Sequence, residues 1–165
     1  MAQENLNNER QIIESFQASI LKSLGGVMKT LEGLDEQQLN WKPPAPETNS
    51  LYSIASHVLI NSQENLLTLL CGVPAAELPL KPIPREQALG AQGETAARLI
   101  EQCHILQPAL VEHLAALPGE ALFKEYQHPR RGPISGVTIL VTVTGHMAEH
   151  LGHAELTRDL VKALK

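Results

Sequence analysis

Aromatic residues are scarce in this sequence: one Trp, two Tyr and two Phe make up 3% of its 165 residues. So few rings cannot build a base-stacking surface or an aromatic cage, and the core has to be aliphatic. Cysteine is nearly absent as well. Cys71 and Cys103 are too far apart for a CxxC pair and too few for a secreted disulfide scaffold, so a reducing compartment is expected, with both thiols as small buried hydrophobes. Positive charge is also sparse: 18 acids against 13 bases give a net charge of −5, and no Lys/Arg run exceeds Arg130-Arg131. Nucleic-acid binding therefore lacks its electrostatic basis. Met1 to Arg10 has neither the basic start nor the apolar stretch of a secretion signal, and no apolar run approaches a charge-free membrane span, so a cytoplasmic protein without a membrane partner is expected. A nucleophile elbow, a phosphate loop and a GxGxxG pattern are missing too, which argues against hydrolase and nucleotide-binding readings.

What the chain does have is helical periodicity. At this length, with 43% apolar and 19% charged residues, residues 1–165 read as one domain able to bury its own core. Leu6, Ile13, Phe16, Ile20, Leu24, Val27 and Leu31 recur in steps of three, four or seven, which predicts a first helix ending near Gly33. Trp41-Lys42-Pro43-Pro44-Ala45-Pro46 then forces a loop. Asn49 or Ser50 can cap a second helix, with Leu51, Ile54, Val58, Leu66 and Leu69 on its apolar face, running to about Gly72-Val73-Pro74. After a proline-rich connection, Glu86 to Leu117 predicts a third helix, kinked or divided at Pro108. Residues 118–133 read as an irregular crossover with a short strand around Phe123–Gln127, closed by a cap at Ser135.

The last segment is rich in β-branched residues from Val137 to Thr144, yet its period is helical. Ile139, Val143, His146, His150, His153, Thr157, Leu160 and Leu164 alternate steps of four and three, a seam carried to the C-terminus. The fold class is therefore all-α, a four-helix bundle.

Three of the seven histidines sit on that seam, where a bundle helix ordinarily places Leu or Ile. Desolvating neighbouring imidazoles costs several kcal/mol unless their nitrogens find partners, and a shared cation would satisfy them together. Residues four apart on a helix lie about 5–6 Å apart at Cβ, so His146 and His150 can reach one ion. The leading third ligand is His57, on the inward side of the second helix, with Asn61 and Glu64 further along as supporting groups. Neutral imidazole suits zinc, nickel, copper or iron, and three histidines with an open position follow the pattern of catalytic sites. A carboxylate site built from Glu149 and Glu155 is the alternative, and would prefer oxygen-seeking metals.

His57 early in the second helix, His146-Met147-Ala148-Glu149-His150-Leu151-Gly152 in the last, and the entry Leu39-Asn40-Trp41-Lys42-Pro43 followed by Asn49-Ser50 resemble the DinB/YfiT-like family of metalloenzymes. The likeness spans essentially the whole chain. It implies a four-helix bundle with a long crossover connection, a divalent metal, zinc or nickel foremost, held by His57, His146 and His150, and a homodimer. Characterised relatives in that family include metal-dependent transferases that act on small-molecule substrates with a low-molecular-weight thiol, so the resemblance implies a thiol-dependent S-transferase. The alternative is a non-catalytic dimeric bundle that binds metal incidentally or serves as a stress-associated binding protein. His153 stands where the family often has glutamine and reads as a supporting or solvent-facing residue rather than a fourth ligand. His104, His113 and His128 match no motif, the last being a loop residue, and Arg130 with Arg131 reads as a solvated loop pair that could reach an anionic substrate.

Overall fold

The first apolar stripe forms helix α1, Ala2–Thr30, in a computed structural model that describes residues 2–164, with side chains from residue 7 onward. Ile13, Ile20, Leu24, Val27 and Leu31 are buried along one face of α1, as their spacing requires; Leu6 lies outside the described side chains. The carbonyls at its end are satisfied from the last helix, where Arg158 donates to Lys29 O at 2.8 Å and to Glu32 O at 3.3 Å. A short helix that periodicity alone does not announce, α2 (Glu36–Asn40), follows. Its cause is a reciprocal cap: Gln38 N donates to Asp35 Oδ1 at 2.9 Å, and Asp35 N donates to Gln38 Oε1 at 3.1 Å.

Helix α3, Leu51–Ser62, starts at Ser50, whose hydroxyl accepts from Ser53 N at 3.2 Å. Every residue of α3 is buried, so it is the central helix and not one with a single apolar face. Its small polar groups are paired accordingly: Ser62 Oγ donates to Val58 O at 2.7 Å, and Ser53 Oγ donates to Ala91 O at 3.1 Å. The second helix also changes its winding. Gln63–Leu70 continues α3 as a π-helical segment, and buried Gln63 grips the proline-rich connection by donating to Leu80 O at 2.9 Å and accepting from Leu80 N at 2.8 Å.

The third helix is not continuous from Glu86 to Leu117. It divides into α4 (Arg85–Leu89) and α5 (Ala97–Ala116), and the break lies at residues 90–96, not at Pro108. Pro108 sits on the exposed side of α5, where water can serve the carbonyl that it leaves without a donor. The break is held by Asn40, which donates through Nδ2 to Gly93 O at 2.9 Å and accepts from Gly93 N at 3.1 Å. A side chain at Gly93 would place its Cβ 2.3 Å from the Tyr52 ring, so only glycine fits. Arg10 of α1 caps the far end of α5, donating to Leu114 O at 2.9 Å and Leu117 O at 3.2 Å.

In the crossover, two strands form where one was expected: β1 (Glu125–His128) pairs antiparallel with β2 (Gly132–Ser135), with His128 opposite Gly132. The three-residue loop closes with Gly132 at φ 69°, the left-handed position such hairpins give to glycine. Helix α6, Gly136–Ala163, then begins at Ser135 as expected, with Thr138 N donating to its hydroxyl at 3.2 Å.

The core seam of α6 differs from the one read in the sequence. Ile139, Leu140, Val143, Met147, Ala154, Thr157 and Val161 are buried, so the expected seam holds at Ile139, Val143 and Thr157, while Leu160 and Leu164 are 41% and 65% exposed. Both seams have the heptad period and share Val143, His150 and Thr157. The true one takes the neighbour on the other side at each alternate step, Met147 in place of His146 and Ala154 in place of His153. The histidines therefore line the rim of the buried face. The four long segments, α1, α3 with its π-helical continuation, α5 and α6, pack as a bundle in which α1 lies along α6 and α5.

Candidate metal centre

His57, in the second turn of α3, is buried at 2% exposure, because α3 is covered on all sides. His146 and His150 approach it half-buried from α6, one turn apart. His57 Nε2 and His146 Nε2 are 2.9 Å apart. Ring centroids lie 5.1 Å apart for His57–His146, 5.0 Å for His57–His150 and 4.3 Å for His146–His150, all edge to face. One nitrogen from each ring falls within 4.8 Å of the others. An ion that holds two imidazole nitrogens tetrahedrally at ~2.0–2.1 Å sets them roughly 3.3 Å apart, close to the 2.9 Å between His57 Nε2 and His146 Nε2.

Burial governs the electrostatics. It is the largest cause pushing His57 down to about 3, helped by the charges of His150, His146, Arg85 and Arg130. His150 is lowered to about 4, again mainly by burial and then by His146, with the Glu149 carboxylate opposing. His146 is lowered by burial, partly offset by Glu149 and reinforced by Arg85, Arg131 and Arg130. All three are held toward the neutral imidazole form at pH 7, in which each ring has one nitrogen able to ligate a cation once the His57–His146 contact opens. Among the described residues His150 Nδ1 is buried without a hydrogen-bond partner, which leaves this donor set incomplete as a purely protein network and suited to a cation.

The other candidates fall outside the trio. His153 is exposed, with its ring 6.0 Å from that of His150. Asn61 is buried beside His146, whereas Glu64 is exposed, its carboxyl pushed up by the partial desolvation its neighbours impose and pulled back by Arg130. Glu149 and Glu155 are both exposed on α6. His128 is no loop residue: it ends β1, is buried, and accepts through Nδ1 from Arg130 N at 3.1 Å. His104 is exposed and His113 half-buried on α5.

Two cavities meet at His146. One, of about 450 Å³, has Ile54, Pro43, Leu156 and Leu160 beside His150 and His153. The other, of about 320 Å³, is walled by Asn61, Asn65, His128 and Thr142 with Arg85, Arg130 and Arg131. Arg130 and Arg131 are exposed, as expected of a solvated loop pair within reach of an anionic substrate, whereas Arg85, which carries no signal in the sequence, is brought here by the break at residues 90–96 and the fold of α4.

The fold is also that of a solved protein. A crystal structure of a DinB-like protein from Bacillus cereus ATCC 10987 superposes with a TM-score of 0.65 at 19% identity, covering 90% of this chain and 92% of that one. No curated protein matches the chain. A family model described as mycothiol-S-transferase matches residues 16–163, and the chain belongs to that family.

Proposed function

We propose that this chain is a divalent-metal-dependent S-transferase, in which His57, His146 and His150 hold the ion and a low-molecular-weight thiol is the group donor. The observation that carries the reading is the trio itself: three neutral imidazoles with donor atoms within 4.8 Å, one nitrogen unpartnered, at the junction of two cavities. Membership of the mycothiol-S-transferase family supports the thiol. When bound, a borderline ion such as zinc or nickel lowers the pKa of a thiol that it ligates, so that thiolate is available at neutral pH. The chain's own residues do the rest. The His57 ring is held in the covered α3, and His146 and His150 stand one turn apart on α6, so one nitrogen of each lies within 4.8 Å of the others, which supports a shared ion. Ile54, Leu156 and Leu160 offer an apolar wall on which an electrophile can lie beside the trio.

A second reading has one observation in its favour. Leu156, Leu160 and Leu164 are exposed along α6, which suits a homodimeric, non-catalytic binding module. One experiment separates the two. Protein purified without a histidine tag is assayed for bound metal and for conjugation of mycothiol to a model electrophile, before and after chelation. Stoichiometric ion, with activity lost on chelation and restored by zinc or nickel, is the outcome expected of the transferase. Metal-free, stable protein without conjugating activity would leave the binding module.

A further inference from the structure

The cleft beside His146 stands out on an acidic protein. Only 13 of the 165 residues are Lys or Arg, yet three arginines, Arg85, Arg130 and Arg131, line this one cavity of about 320 Å³, and its wall contains no Asp or Glu. Two elements far apart in sequence supply them. Arg85 opens α4, while Arg130 and Arg131 form the tip of the β1–β2 hairpin. That tip is a built turn: Gly132 takes the left-handed φ of 69°, Arg131 N donates to His128 O at 3.3 Å, and buried His128 accepts from Arg130 N at 3.1 Å. Among the described residues, the one side-chain hydrogen bond made by any of the three guanidinium groups is from Arg131 Nη1 to Thr142 Oγ1 at 3.2 Å. Three permanently charged, planar forks, all exposed and with most of their donors free, converge on this wall; Glu64, which feels Arg130, and Glu149, which shares the neighbouring cavity with Arg85, lie outside its lining, so the cleft itself holds no carboxylate to occupy them.

We infer that this cleft is an anion subsite, in which Arg85, Arg130 and Arg131 receive a carboxylate carried by one of the two reactants. The role of that carboxylate in a reaction rests on the transferase reading above, whereas the cleft's affinity for an anion does not. A planar carboxylate matches the guanidinium fork two bonds at a time, and Asn65 and Thr142 add neutral donors to the same wall. His146 borders both cavities, so a molecule anchored by its carboxylate here would present its remaining atoms to the histidine trio. The arginine charges already reach that far, since they contribute to holding His57 and His146 neutral.

Calorimetric titration with succinate, on the protein as purified, tests the inference without relying on activity. Binding is expected, weakening as salt is raised, and falling at least about tenfold in the Arg130→Gln/Arg131→Gln double variant with an unchanged circular dichroism spectrum. Absence of binding at millimolar succinate, or equal binding by the double variant, would overturn it. If the double variant does not fold, Arg85→Gln on α4 gives the same comparison from the opposite wall. Conjugation assays then identify the carrier. An arginine-dependent preference for mercaptosuccinate over 1-thioglycerol at a fixed acceptor assigns the carboxylate to the thiol, and one for iodoacetate over iodoacetamide at a fixed thiol assigns it to the acceptor. Arginine-dependent succinate binding by a protein that holds no ion and conjugates nothing would uphold the anion subsite and refute only the transferase reading.

Discussion

The Nε2 atoms of His57 and His146 meet at 2.9 Å across 89 residues of sequence. One of them donates and the other accepts, so the accepting ring's lone pair is taken up in this contact, while among the described residues Nδ1 of His150 is buried without a partner. A network of neutral imidazoles in this state is short of hydrogen-bond partners, and a cation at its centre would relieve it.

His146→Ala and His150→Ala should each abolish tight metal binding and leave helix content intact. Both residues line the rim of α6, whose core contacts come from Leu140, Val143, Met147 and Val161, so little of the folding energy is lost with them. Elemental analysis beside circular dichroism checks this. Undiminished metal in the double variant would remove the pair from the site.

His153→Gln should keep its metal. The residue is exposed, with its ring 6.0 Å from that of His150, and it projects from the turn beyond the trio. Loss of the ion from this variant alone would make His153 a ligand.

The metal-free protein should lose stability as pH falls below about 6.5. Folding lowers His57 to about 3 and His150 to about 4. Between those values and the ordinary histidine range, the unfolded chain binds protons that the folded chain refuses, so unfolding is favoured as pH drops. Each such histidine contributes a slope of roughly 1.4 kcal/mol per pH unit within the window. Urea denaturation of chelated protein at pH 7 and pH 5 measures the sum, and His57→Asn should flatten it by about one proton. Constant stability between the two pH values would show that the trio titrates normally.

Gly93→Ala should destabilise the fold by roughly 1–3 kcal/mol, because the added Cβ would lie 2.3 Å from the Tyr52 ring inside a loop pinned on both sides by Asn40. Thermal unfolding measures the loss. Asn40→Ala should weaken the same loop from the other side, and the two changes together should cost less than their sum.

The helical class, a cap at Asn49 or Ser50, the cap at Ser135 and the pairing of His146 with His150 were legible because each depends on local spacing or on one helical turn, whereas His57, 89 residues from His146, was reached through its inward place on the second helix and the family resemblance. What was not legible depends on tertiary contacts. The break between α4 and α5 exists because Asn40 and Tyr52, both far upstream, hold Gly93. The full burial of α3 follows from its neighbours on every side, which no pattern within residues 51–62 reveals. The α6 seam was ambiguous for a specific reason: two heptad-spaced stripes share Val143, His150 and Thr157, and only the packing of Met147 and Ala154 decides between them. Arg85 joined the site unannounced, since nothing about a single arginine at the start of a short helix marks it as a cleft residue.

X-ray absorption at the zinc edge of the zinc-loaded protein, with and without added thiol, reads the ligands of the His57, His146 and His150 site themselves. The account predicts three imidazole nitrogens at ~2.0–2.1 Å, joined by one sulfur at about 2.3 Å when thiol is added, with the nitrogen count reduced in His146→Ala. A shell of oxygen ligands without imidazole scattering, or a thiol that leaves the shell unchanged, would contradict it.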